Sequence, residues 1–163
     1  LYSSAASDVY KRQFFYHAYV SWVRAPNDVA WVRDRLLPPL RQAGLRVAMS
    51  GYVEEPGVSL VVGLQRAVEQ AKRTILVLSQ AYLDSQWAEF ENVMAQQLSV
   101  EERRARLLPV VIDGTLLDAH GHLNRQVPLR LRQLSPMDVV DPFFGEDNLR
   151  RLPDLLQRPI PRG

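Results

Sequence analysis

Thr74-Ile75-Leu76-Val77-Leu78-Ser79 is an uninterrupted apolar run, and it decides the fold class. Such a run is typical of a central strand in a parallel sheet, because that strand is buried on both faces. Residues 107–112 (LLPVVI) repeat the pattern, although Pro109 cannot donate a ladder hydrogen bond and therefore predicts a strand end or a bulge. Further strands are predicted over residues 14–22, over 45–49 and, weakly, over 137–140.

Amphipathic stretches separate these runs and predict helices. Asn27 or Asp28 is expected to cap the first helix, which Pro38-Pro39 should kink or tighten near its last turns and Gly44 should stop. Other helices are predicted from residue 59 to about 71, around Trp87 after a nonhelical lead-in at 80–86, and over 147–156. The alternation predicts a three-layer α/β domain with a five-stranded parallel sheet flanked by helices. Ligands are then expected outside the carboxyl ends of the strands.

Size and composition narrow the class of protein. The 163 residues suffice for one domain, and the formal net charge is only +2. Basic and acidic residues alternate, as in 101–106 (EERRAR), which predicts solvated surface and no nucleic-acid partner. The absence of cysteine excludes disulfides and thiolate sites. No stretch approaches the roughly 20 apolar residues of a membrane span, so we expect a soluble, cytoplasmic protein without a membrane partner.

The first thirteen residues are a separate segment. They show no apolar periodicity, and residues 3–13 (SSAASDVYKRQ) look like the in-frame translation of a sequencing adapter. We therefore predict a non-native leader at 1–13 and a single domain at 14–160.

Trp87 and Glu91 are the most informative pair of side chains. They lie four residues apart on a predicted helix, so the indole and the carboxylate project from the same face and can line one pocket. Glu89 lies two residues from Trp87 and points to roughly the opposite side. In an arbitrary helix, a core tryptophan beside a solvated glutamate is the commoner arrangement.

Four segments resemble one known family, in the right order and spacing. Residues 16–22 (YHAYVSW) resemble its first-strand motif, and Glu55-Pro56-Gly57 resembles the tip of its BB loop, which follows the second strand. Residues 73–83 (RTILVLSQAYL) resemble its third strand, and 87–91 (WAEFE) the segment with its catalytic glutamate. Over about 14–142 the chain is therefore similar to the Toll/interleukin-1 receptor (TIR) domain in its bacterial form.

This resemblance implies a fold and an activity. The implied fold is flavodoxin-like, with strand order 2-1-3-4-5. The implied activity is that of an NAD⁺ nucleosidase (a hydrolase or cyclase) in bacterial defence or signalling, with NAD⁺ as substrate and no cofactor. Glu91 would be the catalytic residue. The substrate-binding residues would be Ser21, Trp22, Arg24, Ser50 and Trp87.

The alternative is a noncatalytic module that recruits other TIR domains through Glu55, Pro56 and Gly57 of the BB loop. The acids Glu54 and Glu55 favour this alternative, because two negative charges over an anionic dinucleotide oppose its binding unless they face solvent. Homotypic assembly with other TIR domains is expected under either hypothesis.

Other possible sites are weaker. Asp118, His120 and His122 lie in a loop-like span without helical ligand spacing or a fourth group, so we expect surface and no metal. His17 replaces the usual first-strand aspartate of the family and is expected to be structural. Neither a G-x-G-x-x-G nor a Walker pattern occurs.

Overall fold

The computed structural model describes residues 13–49 and 60–161, and at 60–63 its backbone alone. The predicted leader therefore lies outside the described residues, except for Gln13. So do Ser50 and the BB-loop residues Glu55, Pro56 and Gly57.

The described strands form one parallel sheet in the order β2-β1-β3-β4-β5, which confirms the predicted fold class and strand order. The strands are β1 (Tyr16–Ser21), β2 (Val47–Met49), β3 (Ala71–Leu78), β4 (Leu107–Val111) and β5 (Met137–Asp138). In the register, Ala18 of β1 faces Val47 of β2, and Leu76 of β3 faces Pro109 of β4.

Helices connect these strands. They are α1 (Pro26–Trp31), a π-helical segment (Val32–Leu36), α2 (Leu37–Gln42), α3 (Leu60–Gln70), α4 (Gln80–Ser85), α5 (Trp87–Gln97), α6 (Val100–Arg106), a 3₁₀ turn (Gly114–Leu116), α7 (Leu129–Arg132) and α8 (Gly145–Gln157). None of the helices in the described part of the chain has the length and apolar character needed to cross a membrane.

The two faces of the sheet carry separate cores. Leu76 of β3 belongs to one core together with Phe90 of α5, whereas Val77 belongs to the other together with Leu149 of α8. Successive side chains of a strand point to opposite faces, so β3 supplies both cores. This burial on both faces confirms the interpretation of its apolar run.

The first helix begins differently from the prediction. Its N-cap is Ala25, which makes no side-chain cap hydrogen bond, and Pro26 occupies the first turn. Neither Asn27 nor Asp28 is the cap, so that prediction was wrong. Proline at the first helical position needs no cap for its missing N–H, and this frees Asp28 for a tertiary contact.

The helix widens in the turn before the proline pair and does not tighten there, while the kink stays a prediction. Pro38 has no N–H, and its ring crowds the carbonyl four residues earlier, which is that of Asp34. The chain accommodates the clash by widening into the π-helical segment. Gly44, with φ of 72°, then ends the helical region.

Two further predictions were wrong. Residues 80–85 are helical as α4, because Ser79 caps them and accepts a hydrogen bond from the Tyr82 amide. Residues 101–106 are not a solvated run. They lie in α6, where Glu102 and Arg106 are buried.

Pro109 lies within β4 and not at its end. The amide of Ile112 donates to Leu78 of β3. Because backbone groups alternate sides along a strand, the missing N–H of Pro109 lies on the β5 side. There β5 starts only opposite Val110, so no ladder hydrogen bond is lost.

Arg106 joins three elements at the amino-terminal edge of the sheet. It is 2% exposed, and its Nη1 donates to Glu102 at 2.9 Å. Its Nη2 donates to the carbonyl oxygens of Val68 and Ala71, each at 2.7 Å, and its Nε to that of Lys72 at 3.3 Å. A single guanidinium therefore supplies hydrogen bonds to carbonyl oxygens at the end of α3 and the start of β3, and to a buried carboxylate.

We predict that Arg106→Ala lowers the free energy of unfolding by about 3–5 kcal/mol, because it leaves Glu102 buried without its charge partner. The measurement is urea denaturation followed by circular dichroism. Arg104→Ala, an exposed position on the same helix, is the matched control and should change stability by less than about 0.5 kcal/mol. Equal denaturation midpoints for the two variants would contradict the assignment.

Candidate functional site

Polar side chains join the loops at the carboxyl edge of the sheet. Ser79, which follows β3, donates from Oγ to Asp28 Oδ2 at 2.5 Å and so reaches the segment after β1. Asp113, which follows β4, accepts from the Gln80 amide at 3.0 Å. The segments after β1, β3 and β4 therefore meet at one edge of the sheet, as parallel strands require.

Asp28 is the buried acid of this edge. Its side chain is among the buried charged groups, at 3% exposure. Burial raises the pKa of Asp28 above its ordinary value of 3.8, while the hydrogen bond from Ser79 opposes that shift and the nearby Asp113 charge adds to it. Asp28 thus holds the two loops together at an electrostatic cost.

Ser21 is bonded to a buried tyrosine. Its Oγ lies 2.8 Å from the hydroxyl oxygen of Tyr82, which is fully buried. Burial strongly raises the pKa of Tyr82, so the phenol keeps its proton at neutral pH. Ser21 is itself only 5% exposed. Its role in substrate binding stays a prediction.

Trp22 and Arg24 lie together at the exit from β1. Trp22 is half-buried and Arg24 is exposed, and the guanidinium carbon is 5.8 Å from the centroid of the indole ring. This is cation–π distance, which orients an exposed guanidinium without burying it. A cation next to a flat apolar surface suits a ligand that carries both phosphate and a ring.

Trp87 is part of the core. It is 4% exposed, and its ring centroid is 6.3 Å from that of Phe90. Among the described residues, Nε1 of Trp87 has no hydrogen-bond partner. In this conformation the indole packs in the core, and its contact with a substrate stays a prediction.

Glu91, one turn later, reaches solvent. Its side chain is 32% exposed, and its Oε1 lies 3.2 Å from Nη1 of Arg130, whose side chain is 51% exposed. Arg130 belongs to α7, so this contact places Glu91 beside the connection that leaves the carboxyl end of β4. Ion pairs at such exposure contribute about 0–1 kcal/mol, so the contact opens easily.

Three residues with these contacts are not predicted from the sequence. Asp28 is predicted only as one of two possible helix caps, Tyr82 has no predicted role, and Arg130 lies in the connection 113–133, which lacks clear periodicity. The pairs Ser79–Asp28 and Ser21–Tyr82 span 51 and 61 residues. No local pattern signals contacts at such separations.

The histidines and the aspartate that the sequence offered as weaker site candidates make structural contacts. His17 Nδ1 accepts from the Arg46 amide at 3.0 Å, which ties β1 to the approach to β2. Asp118 Oδ1 accepts from the amides of His120 and His122 in a local turn. Within residues 13–49 and 60–161, no group of three or more His, Cys, Asp or Glu side chains is arranged to hold a metal.

Comparison with known proteins agrees with this architecture. The family model described as "TIR domain" matches residues 19–152, which is most of the chain. This chain belongs to the TIR domain family. TIR domains are signalling modules, and they generally interact with other TIR domains.

Individual relatives extend the comparison. Toll-like receptor 6 of Mus musculus is 29% identical over 106 residues, which cover 65% of this TIR domain chain but 13% of the receptor. The stimulator of interferon genes protein of Magallana gigas is 28% identical over 141 residues, covering 86% of this chain and 32% of that protein. The chain thus spans less than a third of either relative.

A solved structure supports the fold. The TIR domain of the Toll-related receptor TRR-2 from Hydra magnipapillata superposes with a TM-score of 0.66 at 20% identity. The match covers 88% of this chain and 99% of that structure. At this identity the similarity supports the fold alone.

The Asp28 carboxyl predicts a pH dependence of stability. Below about pH 3.8 both the folded and the unfolded chain are protonated there. As pH rises, the unfolded chain ionises first, because the folded-state pKa is higher, and the folded state loses stability. We therefore expect the unfolding free energy of Asp28→Asn, relative to wild type, to increase as pH rises above 3.8.

Asp118→Asn is the control for this measurement, since the pKa of Asp118 is lowered, chiefly by the amides of His122 and His120. Its stability relative to wild type should decrease as pH rises through the acid range, the opposite sign. Urea denaturation at several pH values measures both. Parallel pH profiles for the two variants would contradict the assignment of Asp28.

Proposed function

We propose that this TIR domain cleaves NAD⁺ at the nicotinamide–ribose bond, as a hydrolase or cyclase, with Glu91 as the catalytic carboxylate. Cleavage builds positive charge on the ribose, and nicotinamide leaves as a neutral molecule that needs no proton. One carboxylate that binds the ribose hydroxyls and stabilises this charge is therefore sufficient, whereas ordinary glycosidases need a second carboxyl group as acid.

The accessibility of Glu91 is the observation that carries this proposal. The carboxylate is one turn from a tryptophan fixed in the core, yet its side chain is 32% exposed. The core anchors the helix, and the acid faces solvent beside the connection from β4. Preorganisation of this kind is what electrostatic stabilisation of a transition state requires.

Several further contacts would come from the exit of β1, and others from α5 and the segment after β2. Arg24 would bind phosphate, Trp22 would cover a ring or ribose, and Ser21 and Trp87 would form the inner wall. Ser50 is proposed from its place after β2. NAD⁺ is the substrate in this proposal, and no cofactor takes part.

We place the activity in a bacterial defence or signalling system in the cytoplasm, with homotypic TIR assembly as its trigger. The resemblance of residues 16–22, 73–83 and 87–91 to the bacterial form of the family supports this setting. The BB loop, with Glu55, Pro56 and Gly57, would take part in assembly.

Glu91→Gln should lower nicotinamide release from NAD⁺ by about 100-fold or more, because the amide cannot neutralise a developing cation. Release is measured by chromatography across a range of protein concentrations, since assembly is expected to complete the site. Glu89→Gln, two residues away on an exposed face of the same helix, is the matched control and should retain full activity. Undiminished activity in a folded Glu91→Gln protein would refute the role of Glu91.

A noncatalytic interaction module is the second candidate, and one surface favours it. Phe143 and Phe144 in the loop after β5 are 85% and 65% exposed. Asp141 Oδ1 accepts from both of their amides at 2.8 Å and fixes the loop. Two exposed aromatic rings on an ordered turn of backbone are typical of a protein-binding surface.

This candidate predicts that changing both Phe143 and Phe144 to Ser weakens concentration-dependent self-association by about tenfold or more, because aromatic anchors dominate interface energies. Sedimentation velocity over a concentration series is the measurement. Val100→Ser, at another exposed apolar position, should leave association unchanged. A module without catalysis would also leave NAD⁺ intact in every assembled state.

A further inference from the structure

We propose that Arg130 is a diphosphate-binding residue that exchanges Glu91 for the substrate. In the free protein Nη1 of Arg130 lies 3.2 Å from Oε1 of Glu91. This pairing engages one oxygen of the carboxylate that cleavage requires, so Arg130 and a substrate compete for Glu91. The choice of an NAD⁺ diphosphate as ligand rests on the proposed function.

The exposure of the pair makes the exchange feasible. The side chains of Arg130 and Glu91 are 51% and 32% exposed, so both remain within reach of a ligand from solvent. Within the described residues, the structure pairs the Glu91 carboxylate with this one basic side chain. By contrast, the guanidinium of Arg106 donates to four acceptors inside the protein, three of them in buried hydrogen bonds, and is not available.

The chemistry of arginine favours a diphosphate as its second partner. The planar guanidinium presents parallel N–H donors that match two phosphate oxygens, and its charge does not titrate. A diphosphate offers more negative charge than one carboxylate, and it therefore outcompetes Glu91 for Arg130. The released carboxylate is then free to bind the ribose of the same ligand.

This arrangement links binding to catalysis in one step. A ligand without a diphosphate leaves Glu91 paired with Arg130, so it does not activate the acid. A ligand that carries both a diphosphate and the reacting ribose opens the pair and presents its ribose to Glu91. Arg130 thus selects for dinucleotides over nucleosides.

The test uses ADP as a probe, because ADP carries the diphosphate and lacks the nicotinamide ribose. Calorimetric titration compares wild type with Arg130→Gln, Glu91→Gln and the double variant of the full chain. We expect ADP to bind about tenfold more weakly to Arg130→Gln, since it loses charge-assisted hydrogen bonds. Arg125→Gln removes the same charge from an exposed position in the same connection and should have little effect.

Glu91→Gln provides the decisive signature. Removal of the competing carboxylate should strengthen ADP binding about two- to fivefold, the range expected for an exposed ion pair. In the Arg130→Gln background the same change should have no effect. If Glu91→Gln does not strengthen binding, or strengthens it equally without Arg130, the exchange is refuted.

Failure here is distinguishable from failure of the proposed reaction. If wild type releases no nicotinamide from NAD⁺ but the ADP signature is present, the enzyme assignment is wrong and Arg130 remains a diphosphate-binding residue. If nicotinamide is released but ADP affinity is the same in all variants, the reaction is correct and the role of Arg130 is not. Thermal denaturation of each variant confirms that it is folded.

Discussion

The hydroxyl of Ser79 is the contact on which the carboxyl edge of the sheet depends. It donates to Asp28 and accepts from the Tyr82 amide, so one oxygen joins the segment after β1 to the first turn of α4. Tyr82 in turn bonds Ser21 at the end of β1. A serine hydroxyl is well suited to this place, because it both donates and accepts.

The contacts at the amino edge of the sheet differ in burial from the contact between Glu91 and Arg130. At the amino edge, Arg106 donates hydrogen bonds to buried carbonyl oxygens. Arg73 donates to the carbonyl oxygens of Arg158 and Pro159 and so holds the segment that follows α8. Such buried contacts are costly to break. The Glu91 contact with Arg130 is exposed and weak. A scaffold held by buried contacts therefore carries an acid that solvent can reach, and the proposed function rests on this arrangement.

The sequence patterns predicted the secondary-structure elements better than they predicted the tertiary contacts. Apolar runs located β3 and β4 because burial on both faces imposes a continuous apolar sequence, and Gly44 marked a helix end because of its positive φ. The same reasoning failed at residues 80–85 and 101–106. There a cap at Ser79 and a buried charge on Arg106 outweighed local polarity. The Ser79 cap is a local signal that the prediction overlooked, whereas the carbonyl acceptors of Arg106 lie 34 to 38 residues away in the sequence.

The sequence by itself determined the α/β class, the strand order through family resemblance, and the choice of Glu91 over Glu89, since helical geometry is local. Only the tertiary structure decided that Asp28 is a buried acid hydrogen-bonded to Ser79 and not a helix cap, and that Trp87 packs in the core. It alone paired Glu91 with Arg130. The reason is physical. Periodicity reports which face a residue occupies, whereas its partner across that face is set by packing between distant segments.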